Sequence, residues 1–223
     1  PICMNKNVQG HIFALTANIL WGLMAPIGKS ALMEFSALSV TTFRMVGAAA
    51  CFWLLSAFCK YEHVDHRDML KIFFASLFAL VFNQGVYIFG LSMTSPIDAS
   101  IVTTTLPIVT MIIAAIYLKE PITNLKVLGI FVGAMGALTL ILSSQTAGSG
   151  NGSIIGDLLC LVAQISFSIY LTVFKGLSQQ YSAVTINKWM FVYASICYIP
   201  FSYYDISTIQ WASISTVAII QVL

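Results

Sequence analysis

Charge is what this sequence has least of. Asp, Glu, Lys and Arg make up 8% of its 223 residues, against about 25% in ordinary soluble domains. So little charge cannot clothe a water-facing surface, and with 59% hydrophobic residues the chain reads as a membrane protein. Ordered cysteine is lacking too. Cys3, Cys51, Cys59, Cys160 and Cys197 show no C-x-x-C spacing, and an odd, scattered set argues against a disulfide framework or a zinc site. No G-x-x-x-x-G-K-[ST] loop occurs, so this stretch offers no nucleotide-driven motor. No acidic residue falls in mid-span, Asp98 lying at a helix end, so no carboxylate proton relay is evident. A Ser-His-Asp arrangement or an intramembrane His-carboxylate set is likewise missing, which counts against an enzyme acting on lipid carriers.

What the chain does have is apolar runs of about the 20 residues that a helix needs to cross the hydrocarbon layer. They predict an all-α polytopic bundle with complete spans at 11–33, 37–58, 69–93, 97–118, 124–143, 155–177 and 183–204, and another beginning near 212. The chain stops at Leu223 inside that last run and opens on Pro1, with Met4 close behind. The expectation is a fragment nearly complete at its front and missing its end. The first span is too long for a signal-peptide core and should be retained.

Eight of the ten basic residues fall on one side if the spans alternate: Lys6, Lys60, Arg67, Lys71, Lys119, Lys126, Lys175 and Lys188. The positive-inside rule makes that side the cytoplasm and puts the N-terminus there. The stretch Thr146–Ser153, rich in Gly and Ser, then reads as an exterior linker dividing residues 1–146 from 147–223.

A shift of 146 lays one half on the other without a gap. Gly10 faces Gly156, Ala17 faces Ala163, Asn18 faces Gln164, Trp21 faces Phe167, Lys29 faces Lys175, and Phe35-Ser36-Ala37 faces Tyr181-Ser182-Ala183. Five spans precede the linker, so a second copy must enter the bilayer from the other side. That predicts two inverted five-helix repeats, ten helices in about 290 residues when complete, of which about seven and a half stand here.

Taken in order, several motifs carry a family resemblance: Trp21-Gly22 with Pro26 and Lys29; Arg44 before Gly47-Ala48-Ala49-Ala50; Asn83 with Tyr87 and Gly90-Leu91; Pro96-x-x-Ala99-Ser100 with Pro107; Leu118-Lys119-Glu120; and Gly129-x-x-x-Gly133-x-x-Gly136. The chain resembles EamA-type transporters of the drug/metabolite transporter superfamily over nearly its whole length. In the second copy the Trp-Gly and Pro positions read Phe167-Ser168 and Thr172, so the first-copy motif need not be duplicated. The resemblance implies a secondary transporter in a bacterial cytoplasmic membrane, moving a small metabolite such as an amino acid by alternating access.

Polar residues in lipid tend to face a bundle interior or a wet cavity. Asn18 and Trp21 share a helix face and are expected to touch substrate, as are Asn83, Gln84 and Tyr87 of the third span and Thr103 and Thr104 of the fourth. The second copy contributes Gln164, Tyr170 and Trp189. Gly22, Pro26 and Pro107 are candidate hinges, since Pro removes a backbone hydrogen bond. Lys29 and Arg44 lie toward the exterior ends of their spans, either snorkelling to headgroups, with Glu34 as a partner, or charging the mouth. The three glycines of the fifth span read as a helix-contact seam. His63 and His66, among Glu62, Asp65 and Asp68, read as solvated surface rather than a metal site. The expected partners are a small-molecule substrate and the bilayer, with no cofactor, metal or nucleic acid. Two other readings stand beside transport: a seven-helix receptor or photoreceptor, with Lys188 as the retinal lysine, and the lipid-carrier enzyme.

Overall fold

The computed structural model describes residues 6–119, 121, 123–146, 153–211 and 214–222. Regular structure among them is helical throughout: α1 Lys6–Ala31, α2 Ala37–Ala57, α3 His66–Ser76, a π-helical segment Leu77–Gly85, α4 Val86–Met93, α5 Pro96–Thr103, α6 Leu106–Tyr117, α7 Asn124–Thr146, α8 Ile154–Val173, α9 Lys175–Gln180, α10 Ala183–Ser207 and α11 Thr216–Val222. Five stretches, Val8–Ala31, Ala37–Ala57, His66–Met93, Pro96–Tyr117 and Ile154–Val173, are long and apolar enough to cross a bilayer. The chain is an integral membrane protein. α7 and α10 occupy the other two predicted spans at 23 and 25 residues, α10 being diluted by Lys188 and Asp205. The expected linker lies outside the described residues except for Thr146 and Ser153, as does Glu120.

Two spans differ from the uniform helices that hydropathy predicts. The third changes winding, α3 passing into the π segment before α4 resumes. The fourth breaks, because Pro107 has no N–H to give the Thr103 carbonyl. Thr104 and Thr105 turn between α5 and α6, their N–H groups reaching back three residues to Ile101 and Val102. Pro26, by contrast, leaves α1 continuous.

Side chains from other helices hold the π segment. Ser166 of α8 donates to Phe78 O at 2.7 Å and Tyr198 of α10 donates to Val81 O at 2.6 Å. Tyr198 reaches Val81 because position 85 is glycine: a Cβ there would collide with its hydroxyl and ring. A second close approach joins α4 to α8, where a Cβ on Gly90 would stand 2.8 Å from Gly156 O. Small residues at such crossings let backbones meet where lipid gives no hydrophobic push between helices.

α2 and α10 pack along each other, with Phe52 stacked on Phe191 and Trp53 edge-on to Trp189. Both ends of this pair are tied. The Ser36 hydroxyl accepts the Ser39 N–H at 3.2 Å and donates to Asp205 at 2.6 Å. The Ser182 hydroxyl accepts the Thr185 N–H at 3.3 Å and donates to Glu62 at 2.8 Å. Each helix thus begins on a capping serine held by a carboxylate near the far end of its neighbour, Asp205 within α10 and Glu62 in the connection that follows α2. Two buried clusters fill the bundle. One gathers Phe35, Val40, Ile88, Leu91 and Cys160; the other Met45, Ile72, Leu80, Leu177 and Met190. Asn83 and Gln84 fall between Leu80 of one and Ile88 of the other.

Two consequences are measurable in detergent. Gly85→Ala should lower the melting temperature, whereas Gly129→Ala, whose Cβ would meet nothing within 4 Å, should leave it unchanged; equal effects would refute the close approach. The Glu62 carboxyl is held below the usual carboxylate range, chiefly by the Thr185 hydroxyl and then by the Ser182 N–H and hydroxyl. A lowered pKa stabilises the fold above the unfolded value and loses that contribution as pH falls through the folded value. The melting-temperature gap between wild type and Glu62→Gln should therefore be present at about pH 7 and close below about pH 4.

Candidate functional site

α1 turns two different faces to the bundle. Asn18, Trp21, Gly22 and Ala25, spaced i, i+3, i+4 and i+7, border a cavity of about 390 Å³. Tyr87 of α4 forms another wall, and Ser100, Thr103, Thr104, Leu106 and Pro107 of the broken fourth span form the rest. Leu20, Leu23, Met24 and Ile27, the same spacing two positions on, border a second cavity of about 420 Å³ that Arg44, Met45, Gln84 and Phe191 share.

The first cavity sets a few hydrogen-bonding groups in a mostly apolar lining. Asn18 donates its amide to Ala14 O at 2.8 Å, so its Oδ1 keeps acceptor capacity. Ser100, Thr103 and Thr104 donate their hydroxyl protons to carbonyls of their own helix, Pro96, Ala99 and Ile101, which leaves lone pairs free. Trp21 is 43% exposed and rests edge-on against Phe167 of α8 at 5.8 Å. From there an aromatic file continues through Tyr170 to Phe174. Tyr87 is buried and is close enough to Arg44 for the two to interact electrostatically. The cavity therefore combines an aromatic wall with acceptor-rich edges, a lining suited to a small solute with apolar and hydrogen-bonding parts.

Of the residues expected from the sequence, Asn18, Trp21, Gly22, Tyr87, Thr103, Thr104 and Pro107 meet here. The others go elsewhere. Asn83 is buried and donates to Ala163 O on α8 at 2.8 Å, tying two helices together instead of facing a solute. Gln84 reaches the second cavity. Gln164 is buried, and its Oε1 has no hydrogen-bond partner. Tyr170 stays in its aromatic file, and Trp189 packs between Trp53 and Tyr193. Pro26 is exposed on the outer side of α1. Lys29 is not a free mouth charge: its Nζ donates to the Leu91, Ser92 and Thr94 carbonyls at 2.7, 3.0 and 2.7 Å, covering the end of α4. Glu34 binds Ser215 at the start of α11 and not Lys29 or Arg44. Among the described residues nothing lies within 4 Å of a Cβ placed on Gly129, Gly133 or Gly136, and Gly129 and Gly133 face α6 across a further cavity. Lys188 is buried over the Trp53 ring at 5.2 Å.

Sequence reasoning missed three things. Ala25 belongs to the cavity face, and its i+7 relation to Asn18 was the available signal. Glu62 and Asp68 are not idle surface: Glu62 caps α10, and Asp68 receives bonds from Gln180 and Tyr181. No spacing rule pointed to Tyr198 as the partner of the π segment. Asn83→Ala would leave the Ala163 carbonyl without its side-chain donor, a loss of about 0.6–1.7 kcal/mol for an interhelical bond in lipid. It should lower the melting temperature, while Asn18→Ala, whose amide bonds only within its own helix, should change it little.

Comparison with known proteins gives this arrangement its context. Residues 8–142 match the model of the EamA-like transporter family. An uncharacterized transporter of Archaeoglobus fulgidus is 27% identical over 190 residues, 85% of this chain and 66% of that protein. The uncharacterized transporters YetK and YyaM of Bacillus subtilis are 21% identical over 217 residues and 27% over 169, covering 95% and 74% of this chain and 65% and 55% of those proteins. The chain thus spans two thirds or less of the length of these relatives. With more than half of its residues under the family model, and with the first-span motif on a cavity wall, the chain belongs to the EamA-like transporter family.

Proposed function

We propose that this protein is a secondary transporter that moves a small amphipathic metabolite, such as an amino acid, across a bacterial cytoplasmic membrane by alternating access. Its N-terminus lies in the cytoplasm, and residues 1–146 and those from 147 onward are two repeats threaded in opposite senses. The observation that carries this reading is the first cavity, where Asn18, Trp21, Tyr87, Thr103 and Thr104, polar or amphipathic residues from three spans, line one open groove on an otherwise apolar bundle.

The repeat reading draws support from reciprocal contacts. Ser36 and Ser182, equivalent under the shift of 146, cap α2 and α10 and bind Asp205 and Glu62 at opposite ends of the pair. Glu34 and its counterpart Gln180 bind Ser215 and Asp68, Asp68 standing one position before Met69, the counterpart of Ser215. The counterparts Trp21 and Phe167 touch each other. α1 packs on α11, the start of the eighth predicted span, and α8 packs on the π segment and α4 of the third. An inverted two-fold relation produces such exchanges, and it gives a transporter two equivalent ways to open.

The test uses full-length protein in sealed vesicles, exchanging a labelled panel of amino acids and related metabolites. Trp21→Ala should slow exchange roughly two- to tenfold, the range an aromatic contact of about 0.5–1.5 kcal/mol provides, while Gly136→Ala at equal expression should match wild type. If both variants behave alike, the first cavity is not on the route. Tags at the N-terminus and near Gly150 should report opposite faces of the membrane; the same face would refute the inverted repeat.

A further inference from the structure

The last carbonyls of a helix have no partner within it, and in hydrocarbon no water completes them. At the end of α4 each finds a donor. Gly90 O accepts the Thr94 N–H at 3.1 Å, and Met93 O accepts the Ser153 N–H, just ahead of α8, at 3.3 Å. The Leu91, Ser92 and Thr94 carbonyls converge instead on a single atom, Lys29 Nζ, at 2.7, 3.0 and 2.7 Å. An ammonium group has three N–H donors and no acceptor, so ring and head match one for one.

Among the described residues no carboxylate forms an ion pair with Lys29; the ion pair found there joins Lys71 and Asp68. The Lys29 charge is met by carbonyl oxygens, by the negative end of the α4 dipole, and by Asp157 of α8, whose Oδ1 accepts the Thr94 hydroxyl at 2.6 Å. Carbonyl oxygens gathered on one small charge are how proteins replace the hydration shell of a monovalent cation. Neighbouring helices close on this ring from two sides. A Cβ on Gly28 of α1 would stand 3.2 Å from Leu91 Cδ2, and one on Gly156 of α8 would stand 2.9 Å from Thr94 Cβ.

We propose that the end of α4 is a site for a primary ammonium ion, filled by the chain's own Lys29, and that this tethered cation holds α1, with its wall of Asn18 and Trp21, in place against α4. Lys29 lines neither the first nor the second cavity, and Trp21 lies about 12 Å from it along the helix, so Lys29 is a positioning residue. The positioning role rests on the transport reading; the ammonium site does not. Snorkelling to headgroups, the other fate of such a lysine, asks only for positive charge. The carbonyl ring asks for convergent N–H donors on one compact head, which a guanidinium does not offer.

The experiment uses purified full-length protein, in detergent for melting temperature and in sealed vesicles for exchange of the labelled metabolites. Lys29→Ala removes the side chain beyond Cβ, and n-propylammonium supplies the missing atoms; tetramethylammonium carries the same charge without an N–H. Lys29→Ala should melt below wild type and exchange at least roughly tenfold more slowly, the effect of one lost hydrogen bond to a charged group. n-Propylammonium should raise its melting temperature saturably and recover most of its exchange. Tetramethylammonium at equal ionic strength should do neither, and wild type should respond to neither ion. Lys29→Arg should also melt below wild type. No response of Lys29→Ala to n-propylammonium, or an equal response to tetramethylammonium, would overturn the site. So would a Lys29→Arg variant that melts with wild type, a comparison that stands even if Lys29→Ala fails to fold. Recovery of melting temperature without recovery of exchange would keep the site and refute the positioning role. Wild-type vesicles that exchange nothing would refute transport, and the positioning role with it, while the melting comparison still decides the site.

Discussion

In hydrocarbon there is no water to accept a backbone hydrogen bond, so any departure from a regular helix must be completed by the protein itself. That constraint organises this bundle. The π segment of the third span is reached by the hydroxyls of Ser166 and Tyr198. The end of α4 exposes three carbonyls, and Lys29 covers them. The break in the fourth span is closed by short turns at Thr104 and Thr105 and by threonine hydroxyls folded back on their own chain. Each irregularity binds one helix to another or opens a wall, and the two cavities border on them: Gln84 lies in the π segment, and Thr104 and Pro107 lie at the break.

The helices are held unevenly. α2 and α10 are packed along each other, their start caps tied to carboxylates of the partner. α8 lies across the third span with backbone close to backbone at Gly90 and Gly156. α1 buries little beyond Ala25, Gly28 and Ala31, and Lys29 anchors its C-terminal end. An element with few buried contacts opens at lower free energy than one packed along its length. α1 also separates the two cavities, with Asn18 and Trp21 on one side and Leu20 and Met24 on the other. The helix that divides the two cavities is thus only lightly committed to the core, as is α6, which buries no residue.

Much of this architecture was legible before any coordinates. Hydropathy located the helices because burial in lipid is decided by composition over about 20 residues, a local property. Helix spacing put Asn18, Trp21 and Gly22 on one face, and they remain on one wall. Ser36 and Ser182, which a shift of 146 in the sequence aligns, are both capping serines. By contrast, Asn83 reads in sequence like Gln84 or Tyr87, a polar residue in an apolar span, yet it ties two helices while its neighbours border different cavities. One residue is a turn of about 100° on a helix, and the π winding, which holds Asn83 and Gln84 and ends at Gly85, changes that angle before the chain reaches Tyr87 in α4.

The sequence by itself determined that this is a bundle of apolar helices with a few polar residues buried in it, because both facts follow from side-chain chemistry and near-neighbour spacing. Tertiary structure alone decided which polar residues were spent on holding helices together and which were left without a partner. Lys29, Glu34, Glu62 and Asn83 found partners 62 to 181 positions away, whereas among the described residues the side-chain oxygens of Gln84 and Gln164 found none. Whether a buried polar group is satisfied depends on atoms brought to it by other helices, and no local pattern in the chain records that.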